Sequence, residues 1–336
     1  MNRLHRRRLN AGCWRQQGLT LIELMVAIVI GLILTAVVIQ IFIGSQQTYR
    51  FQESLSRVQE NGRYGVERIS RDLRMVGYQA CGGIEMPIND YRSDANGDAD
   101  IFADGVRGYA ADGPHGYDIN PLDDSEVLAL GVMAPTDLVF ESDSPPALST
   151  THGRSDFDMC DVVFLQSRSC TFGKRFYSGA AGAADVVNTS GSGSDCSNSG
   201  LGPQTDWPDI GGATALHATE VVYYVGEGDQ GEPALFMLTV GTDPVELVEG
   251  VEGFHVRYGV DLGDAPGADE YVLRGDVNNW EDVVSVRIHL LVRGAEDNVT
   301  DEPQTYSFPP GTDVTAGDRR LRQVFSATTA LRNRLP

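Results

Sequence analysis

The chain opens with a polar, arginine-rich stretch and then turns abruptly apolar. Leu19–Ile43 reads LTLIELMVAIVIGLILTAVVIQIFI, and Glu23 is its only charge. As a helix rising 1.5 Å per residue, this run is about 37 Å long, enough to cross the ~30 Å hydrocarbon core of a bilayer. Beyond it the apolar positions thin into a stripe. Leu55, Val58, Gly62, Val66, Ile69, Leu73 and Val76 recur at spacings of three and four, with Arg57, Glu60, Arg63, Glu67, Arg68, Arg71 and Asp72 on the other faces. That spacing predicts one packed helix face. No proline interrupts Leu19–Met75, so both patterns belong to one long helix. Gly31, Gly44, Gly62 and Gly65 are weak helix formers and mark expected bend points.

From residue 79 onward the period changes to two. Phe254, Val256, Tyr258 and Val260 alternate with His255 and Arg257; Val284, Val286, Ile288, Leu290 and Val292 alternate with Ser285, Arg287, His289 and Arg293. Both patterns predict half-buried strands, with His255 and His289 on the polar faces. Thr219–Val225 and Ala234–Val240 flank a Gly-, Asp- and Glu-rich turn and read as a hairpin. Glu126–Leu130 and Asp161–Gln166 are further strand candidates. The stretches 86–124 and 178–213, rich in Gly, Asp and Ser, read as long surface loops. The expected fold is α+β, a long N-terminal helix laid on an antiparallel sheet. Its parts are a leader over 1–18, an apolar helix half over 19–43, an amphipathic half over 44–78 and a β-rich globular domain over 79–336.

Charge sharpens this outline. The chain holds 26 basic and 47 acidic residues, a net charge of −21. A nucleic-acid binder needs a basic surface for phosphates, so that class is set aside. The first 18 residues break the trend, with Arg3, Arg6, Arg7, Arg8 and Arg15 and no acid. By the positive-inside rule this end stays in the cytoplasm and the acidic body is exported to the periplasm. The segment is not an ordinary secretory signal, because the apolar run is too long and no Ala-x-Ala site follows it. The natural cut lies before the run, at Gly18–Leu19. A carboxylate at Glu23 costs a few kcal/mol in an apolar helix unless it is paired. After such a cut, the new amine on Leu19 would lie one turn away, on the same chain or on a neighbouring subunit.

Gly18-Leu19-Thr20-Leu21-Ile22-Glu23-Leu24-Met25-Val26-Ala27 resembles the class III signal of type IV prepilins and pseudopilins, in which Phe more often stands where this chain has Leu19. Phe51–Arg63 and Ser70–Tyr78 resemble the PilW subfamily of minor pilins. So do Val221–Gly226, Glu246–Glu252, Val256–Asp261, Trp280–Ile288 and the terminal Leu331-Arg332-Asn333-Arg334-Leu335. The resemblance implies a pilin-like fold. It implies cleavage after Gly18 by the prepilin peptidase and methylation of Leu19. It also implies a structural subunit that joins other minor pilins and the inner-membrane assembly platform, primes assembly of the major pilin and ends at the pilus tip. Such a system serves adhesion, twitching motility or DNA uptake. The alternative is the J-type minor pseudopilin of type II secretion, which is usually much shorter.

Four cysteines follow the leader: Cys81, Cys160, Cys170 and Cys196. In an oxidising compartment they suggest two disulfides, with three possible connectivities. If Asp161–Ser169 is one extended strand, Cys160 and Cys170 lie about 33 Å apart, too far to bond. The favoured pairing is Cys81 with Cys160 and Cys170 with Cys196. Zinc and free thiols are the competing readings, and no C-x-x-C spacing supports zinc.

Asp94, Asn96, Asp98 and Asp100 place oxygen donors at alternate positions, like the start of a calcium loop. The turn glycine and the twelfth-position Glu of an EF-hand are missing. The segment therefore reads as a solvated acidic loop, with calcium the alternative and no other cofactor expected. Asp261, Asp264, Asp269 and Glu270 form a looser cluster. No G-x-S-x-G, H-E-x-x-H or phosphate-binding Gly loop with Lys occurs, and the histidines lack ligand spacing. An enzyme is not expected.

Overall fold

The computed structural model describes residues 18–78, 88–90, 101–123, 125–141, 147–152, 157, 160–179, 186–188, 210–229, 231–263 and 267–334. The chain divides into two compact units, Met1–Gln52 and Glu53–Pro336. One helix, α1 (Leu21–Leu73), runs through the boundary. It is helical through all four glycines at which bends were expected. At Gly31 and Gly44 the carbonyls also accept hydrogen bonds from Thr35 Oγ1 and Thr48 Oγ1, at 2.8 and 2.9 Å.

In the first unit, the described part of α1 is exposed along its whole length. In the second unit, Ser54, Val58, Gly62, Gly65, Ile69, Ser70 and Leu73 are buried. This is the stripe expected from the sequence, rotated slightly toward its small residues. Gly62 and Gly65 are points of close packing. The ring of Phe325 fills the space beside Gly62, and Leu290 and Leu235 would stand 3.0 and 3.3 Å from a Cβ at Gly65.

The strands form two main sheets. The first contains ten strands: β1 (Ile88–Asp90), β2 (Val106–Ala110), β3 (Glu126–Phe140), β4 (Ala147–His152), β5 (Val162–Gln166), β6 (Gly173–Tyr177), β7 (Val186–Asn188), β8 (Thr214–Glu227), β9 (Pro233–Thr239) and β10 (Val245–Glu249). β8 is its spine. β3 flanks it on one side, while β5 and then β9 share the other side. All pairs are antiparallel except β1 with β6. The second sheet has the order β12 (Glu270–Val272), β11 (Val251–Val260), β13 (Val283–Arg293), β16 (Arg322–Ala330). A short ribbon, β14 (Thr305–Ser307) with β15 (Asp313–Thr315), completes the strands.

The main core lies where both sheets meet α1. Val58, Ile69, Leu73 and Val76 pack with Leu128, Leu130, Val221, Tyr223 and Leu235 of the first sheet, and with Phe254, Val256, Tyr258, Ile288 and Leu290 of the second. The α+β arrangement expected from the sequence is thus observed.

Several expectations are corrected. The strand read as Glu126–Leu130 continues to Phe140: Glu126–Gly131 is buried on both faces, while Ala134 and Pro135 are exposed, so no single alternation marks its course. The extended segment taken to reach Ser169 ends at Gln166. Beyond it the chain turns, with Cys170 N–H donating to Ser167 O at 3.0 Å and Ser167 N–H donating to Phe172 O at 3.1 Å. The stretch 86–124 is not one loop, since it contains β1, a helix α2 (Ile101–Asp104) and β2. The stretch 178–213 contains β7. His255 is not on a solvated face: its side chain is only 12% exposed.

Candidate functional site

Helix α1 begins with a reciprocal cap. The Glu23 N–H donates to Thr20 Oγ1 at 3.3 Å, and the Thr20 N–H donates to Glu23 Oε2 at 3.4 Å. Thr-x-x-Glu before an apolar run is the capping-box arrangement, in which two orphan first-turn donors are satisfied at once. The negative charge also lies at the positive end of the helix dipole. The signal is present in the sequence as Thr20-Leu21-Ile22-Glu23, and it gives Glu23 a capping role beside that of a carboxylate in an apolar helix. Gly18 and Leu19 precede the helix and are exposed.

Behind the cap, the helix surface is bare. Leu21, Ile22, Ile33 and Ile41 are 77, 71, 58 and 68% exposed, in a run with no charge after Glu23. This is one helix long and apolar enough to cross a membrane. An apolar surface of this extent demands lipid or other apolar helices around it.

The opposite end of α1 is fastened by the terminal motif. Asn333 Nδ2 donates to the carbonyls of Arg74 and Val76, at 3.3 and 3.0 Å, where the helix has run out of internal donors. Gly77 takes φ +69°, and Arg334 Cγ lies 3.1 Å from where its Cβ would stand. Arg334 in turn donates to the carbonyls of Asp104 and, at 2.9 Å, Glu281. Burial holds its guanidinium below the ordinary arginine value. Arg334 Nη1 also donates to Trp280 O at 3.3 Å, so Gly77, Trp280, Glu281, Asn333 and Arg334 form one junction.

The cysteines sit at opposite ends of the β5–β6 hairpin. Cys160 N–H donates to Ser178 O at 2.9 Å, beyond one end of β5; Cys170 lies in the turn at the other. Both have positive φ, 75° and 56°. The length of β5 separates them by more than about 13 Å at 3.3 Å per residue, well over the ~7 Å a disulfide spans. Cys81 and Cys196 lie outside the described residues.

The acidic positions Asp94, Asn96, Asp98 and Asp100 also lie outside the described residues. In the second cluster, Asp269 Oδ2 accepts from Leu262 N–H at 2.7 Å and Asp261 Oδ1 accepts from Gly263 N–H at 2.8 Å, so these carboxylates close a turn. Among the described residues no group of three or more His, Cys, Asp or Glu could hold a metal ion.

One buried charge has no local sequence signal. Glu126, at the start of β3, reaches the second sheet. It accepts from Val256 N–H and from Arg274 Nη1 at 2.7 Å, and it lies 3.3 Å from His255 Nδ1. Burial alone would raise its carboxyl, but the hydrogen bonds from His255, Val256 and Arg274 outweigh burial and hold it below the ordinary value. On the neighbouring strand His289 sits opposite His255. Burial first, then the charges of His255, Arg287 and Arg257, push its imidazole down to about 4. Through these contacts Glu126 ties the start of β3 to the second sheet.

Comparison with known families gives two matches. Residues 15–39 match the prokaryotic N-terminal methylation motif. Residues 222–333 match the family described as type IV Pilus-assembly protein W. The second match runs from β8 through the second sheet to Asn333. The stretch 51–78 falls in neither. No curated protein and no solved structure matches the chain.

Proposed function

From the premise that residues 15–39 match the N-terminal methylation motif and residues 222–333 the type IV pilus-assembly protein W family, we propose that this chain is a minor pilin that primes pilus assembly at the inner membrane and ends at the pilus tip. In this reading the prepilin peptidase cuts between Gly18 and Leu19 and methylates the new terminus. The acidic body faces the periplasm, and Glu23 pairs with the Leu19 amine of its own or a neighbouring subunit. Other minor pilins, the major pilin and the assembly platform are its partners. It acts as a structural subunit.

The observation that carries this reading is the capped, uninterrupted and fully exposed apolar half of α1. Such a helix leaves a bilayer only for another apolar surrounding, and the core of a helical fibre supplies one. The junction of Gly77, Trp280, Glu281, Asn333 and Arg334 gives those motif residues a structural role in this reading. The J-type pseudopilin alternative has no specific observation in its favour.

The test is deletion of the gene, with surface pili counted, followed by gold labelling of the tagged protein on sheared fibres. The expected result is a severe loss of pili, restored by the intact gene, with gold at fibre ends. Normal piliation without the gene would overturn the priming role, and label spread evenly along fibres would overturn the tip position.

A further inference from the structure

Sheet edges expose unpaired backbone groups that can capture another strand, and proteins blunt them with shortness, charge, proline or bulges. Most edges here are blunted. β1, β7 and β12 have three residues each, and β2 has five. β10 has five residues, carries Glu246 and Glu249 and is bulged between Glu246 and Val248. β16 is different. It has nine residues, RQVFSATTA, with Arg322 its only charge and no proline. It pairs with β13 in unbroken register from Arg322↔Arg293 to Ala330↔Ser285, and it is the last strand of its sheet.

The hydrogen bonds flanking β16 fix which groups face outward. Gly294 N–H donates to Leu321 O at 2.7 Å and Leu331 N–H donates to Val284 O at 2.8 Å. In an antiparallel ladder the bonded pairs alternate. Gln323, Phe325, Ala327 and Thr329 therefore turn their backbone groups to β13. Val324, Ser326, Thr328 and Ala330 turn theirs to the free edge. Arg322 N–H, also on that side, is taken by Gln304 Oε1 at 2.6 Å and closes one end. Ser326, Thr328 and Ala330 are exposed. Among the described residues no backbone hydrogen bond reaches this edge.

The sheet face beside the edge is basic, against the trend of an acid-rich chain. Arg257 lies opposite Arg287, and such a like-charged pair is unfavourable by itself. Arg287 Nε donates to Thr328 Oγ1 at 3.0 Å and its guanidinium lies 3.9 Å from the Tyr271 ring centre. Neither Arg257 nor Arg287 has an ion pair among the described residues, and the buried Nε of Arg257 has no hydrogen-bond partner. A strand added to β16 would place a side chain on this same face opposite Thr328. It would lie about 10 Å, two strand spacings, from the Arg287 backbone, within reach of two long side chains.

We infer that the β16 edge accepts an extended, carboxylate-bearing segment of another pilus subunit, which adds to the second sheet as a fifth strand. The identity of the partner as a pilus subunit rests on the proposed function; the edge and its basic flank do not. Backbone pairing would supply affinity, and the Arg257–Arg287 pair would select acidic side chains.

The test uses the full chain in detergent and probe peptides of β16's length. One alternates Thr with Glu, one alternates Thr with Lys, and one is the Glu peptide with a central Pro. At low salt the Glu peptide should bind at least about tenfold tighter than either of the others. Hydrogen exchange should slow at the amides of Ser326, Thr328 and Ala330. Ser326→Pro removes an outward N–H and spares the β13 ladder, so it should abolish binding with little change in melting temperature. Arg287→Glu should reverse the preference between the Glu and Lys peptides, which covers the case of a misfolded proline variant. Binding without protection on β16, or an edge filled by a second copy of this chain and seen as a dimer lost in Ser326→Pro, would overturn the inference. Loss of pili on deletion together with no peptide binding would sink the edge and leave the pilin reading standing. Peptide binding with normal pili on deletion would do the reverse.

Discussion

The ring of Phe325 lies against Gly62, in the space a side chain at position 62 would occupy. Phe325 belongs to β16 and Gly62 to α1, so this contact sets how closely the helix approaches the second sheet. Gly62→Ala should therefore destabilise by about 1–3 kcal/mol through overpacking, despite alanine's better helix propensity. Gly62→Ala with Phe325→Leu should recover at least half of that loss. Thermal unfolding of the four proteins gives the coupling directly. Additive effects would mean that the two residues do not limit one another.

Asn333 closes the turn that follows α1 from the far end of the chain, with the Arg74 and Val76 carbonyls as its acceptors. Asn333→Ala should cost about 1 kcal/mol or slightly more, since both acceptors lose a protein donor and water replaces it only in part. Faster amide exchange confined to the turn over residues 74–78 would accompany the loss. An unchanged exchange pattern would show that the cap is dispensable.

What the sequence made legible were patterns with a period. The two halves of α1 were readable because one is wholly apolar and the other repeats at three and four. The β8–β9 hairpin was readable because Gly228 and Gly231 mark its turn; Gly228 N–H donates to Glu232 O at 2.8 Å. The far half of β3 carries no such signal, because Glu126–Gly131 is buried on both faces and Ala134-Pro135, which reads as a break, is exposed. Glu126 carries no local signal, as its partners Val256 and Arg274 lie more than a hundred residues away. The same holds for the free edge of β16, a property of sheet order and not of the nine residues themselves.

The disulfides can be mapped. With Cys160 and Cys170 held at opposite ends of one hairpin, each must bond elsewhere. We expect Cys81–Cys160 and Cys170–Cys196 in non-reducing peptide maps of the protein from the periplasm. Each bond should add roughly 2–4 kcal/mol. A Cys81–Cys170 bond would keep the hairpin geometry and refute the pairing, and four alkylatable thiols would refute both bonds.

His289 gives a pH dependence whose sign can be worked out. Its folded value, about 4, lies below the ordinary 6.5. The unfolded chain therefore takes up a proton as pH falls below about 6.5, while the folded protein does not until about 4. Stability is lost across that window and levels off below it. The groups facing His289 are His255, Arg287 and Arg257. His289→Gln should flatten the fall in melting temperature between pH 6.5 and 4 without altering it above pH 7. An equally steep fall in the variant would assign the slope to other groups.

Thr20 and Glu23 permit two roles for one carboxylate to be separated. As a capping-box acceptor, Glu23 needs oxygen and reach, which Gln supplies. As the partner of a Leu19 amine it needs charge, which Gln lacks. In the low dielectric of packed apolar helices that difference is large and depends steeply on distance, so the pair would favour only the correct axial register. Thr20→Val removes the hydroxyl that accepts from the Glu23 N–H, at a cost near 1 kcal/mol, and leaves the charge in place. We expect Glu23→Gln to be cut and inserted normally yet to lower surface pili at least about tenfold, the measure of a lost pairing energy of about 1.4 kcal/mol or more. Thr20→Val should lower pili far less. Mass spectrometry of the N-terminus checks that both variants are processed, and quantified sheared pili give the comparison. If Thr20→Val loses pili as severely as Glu23→Gln, helix capping accounts for Glu23; if neither loses them, apolar packing alone sets the register.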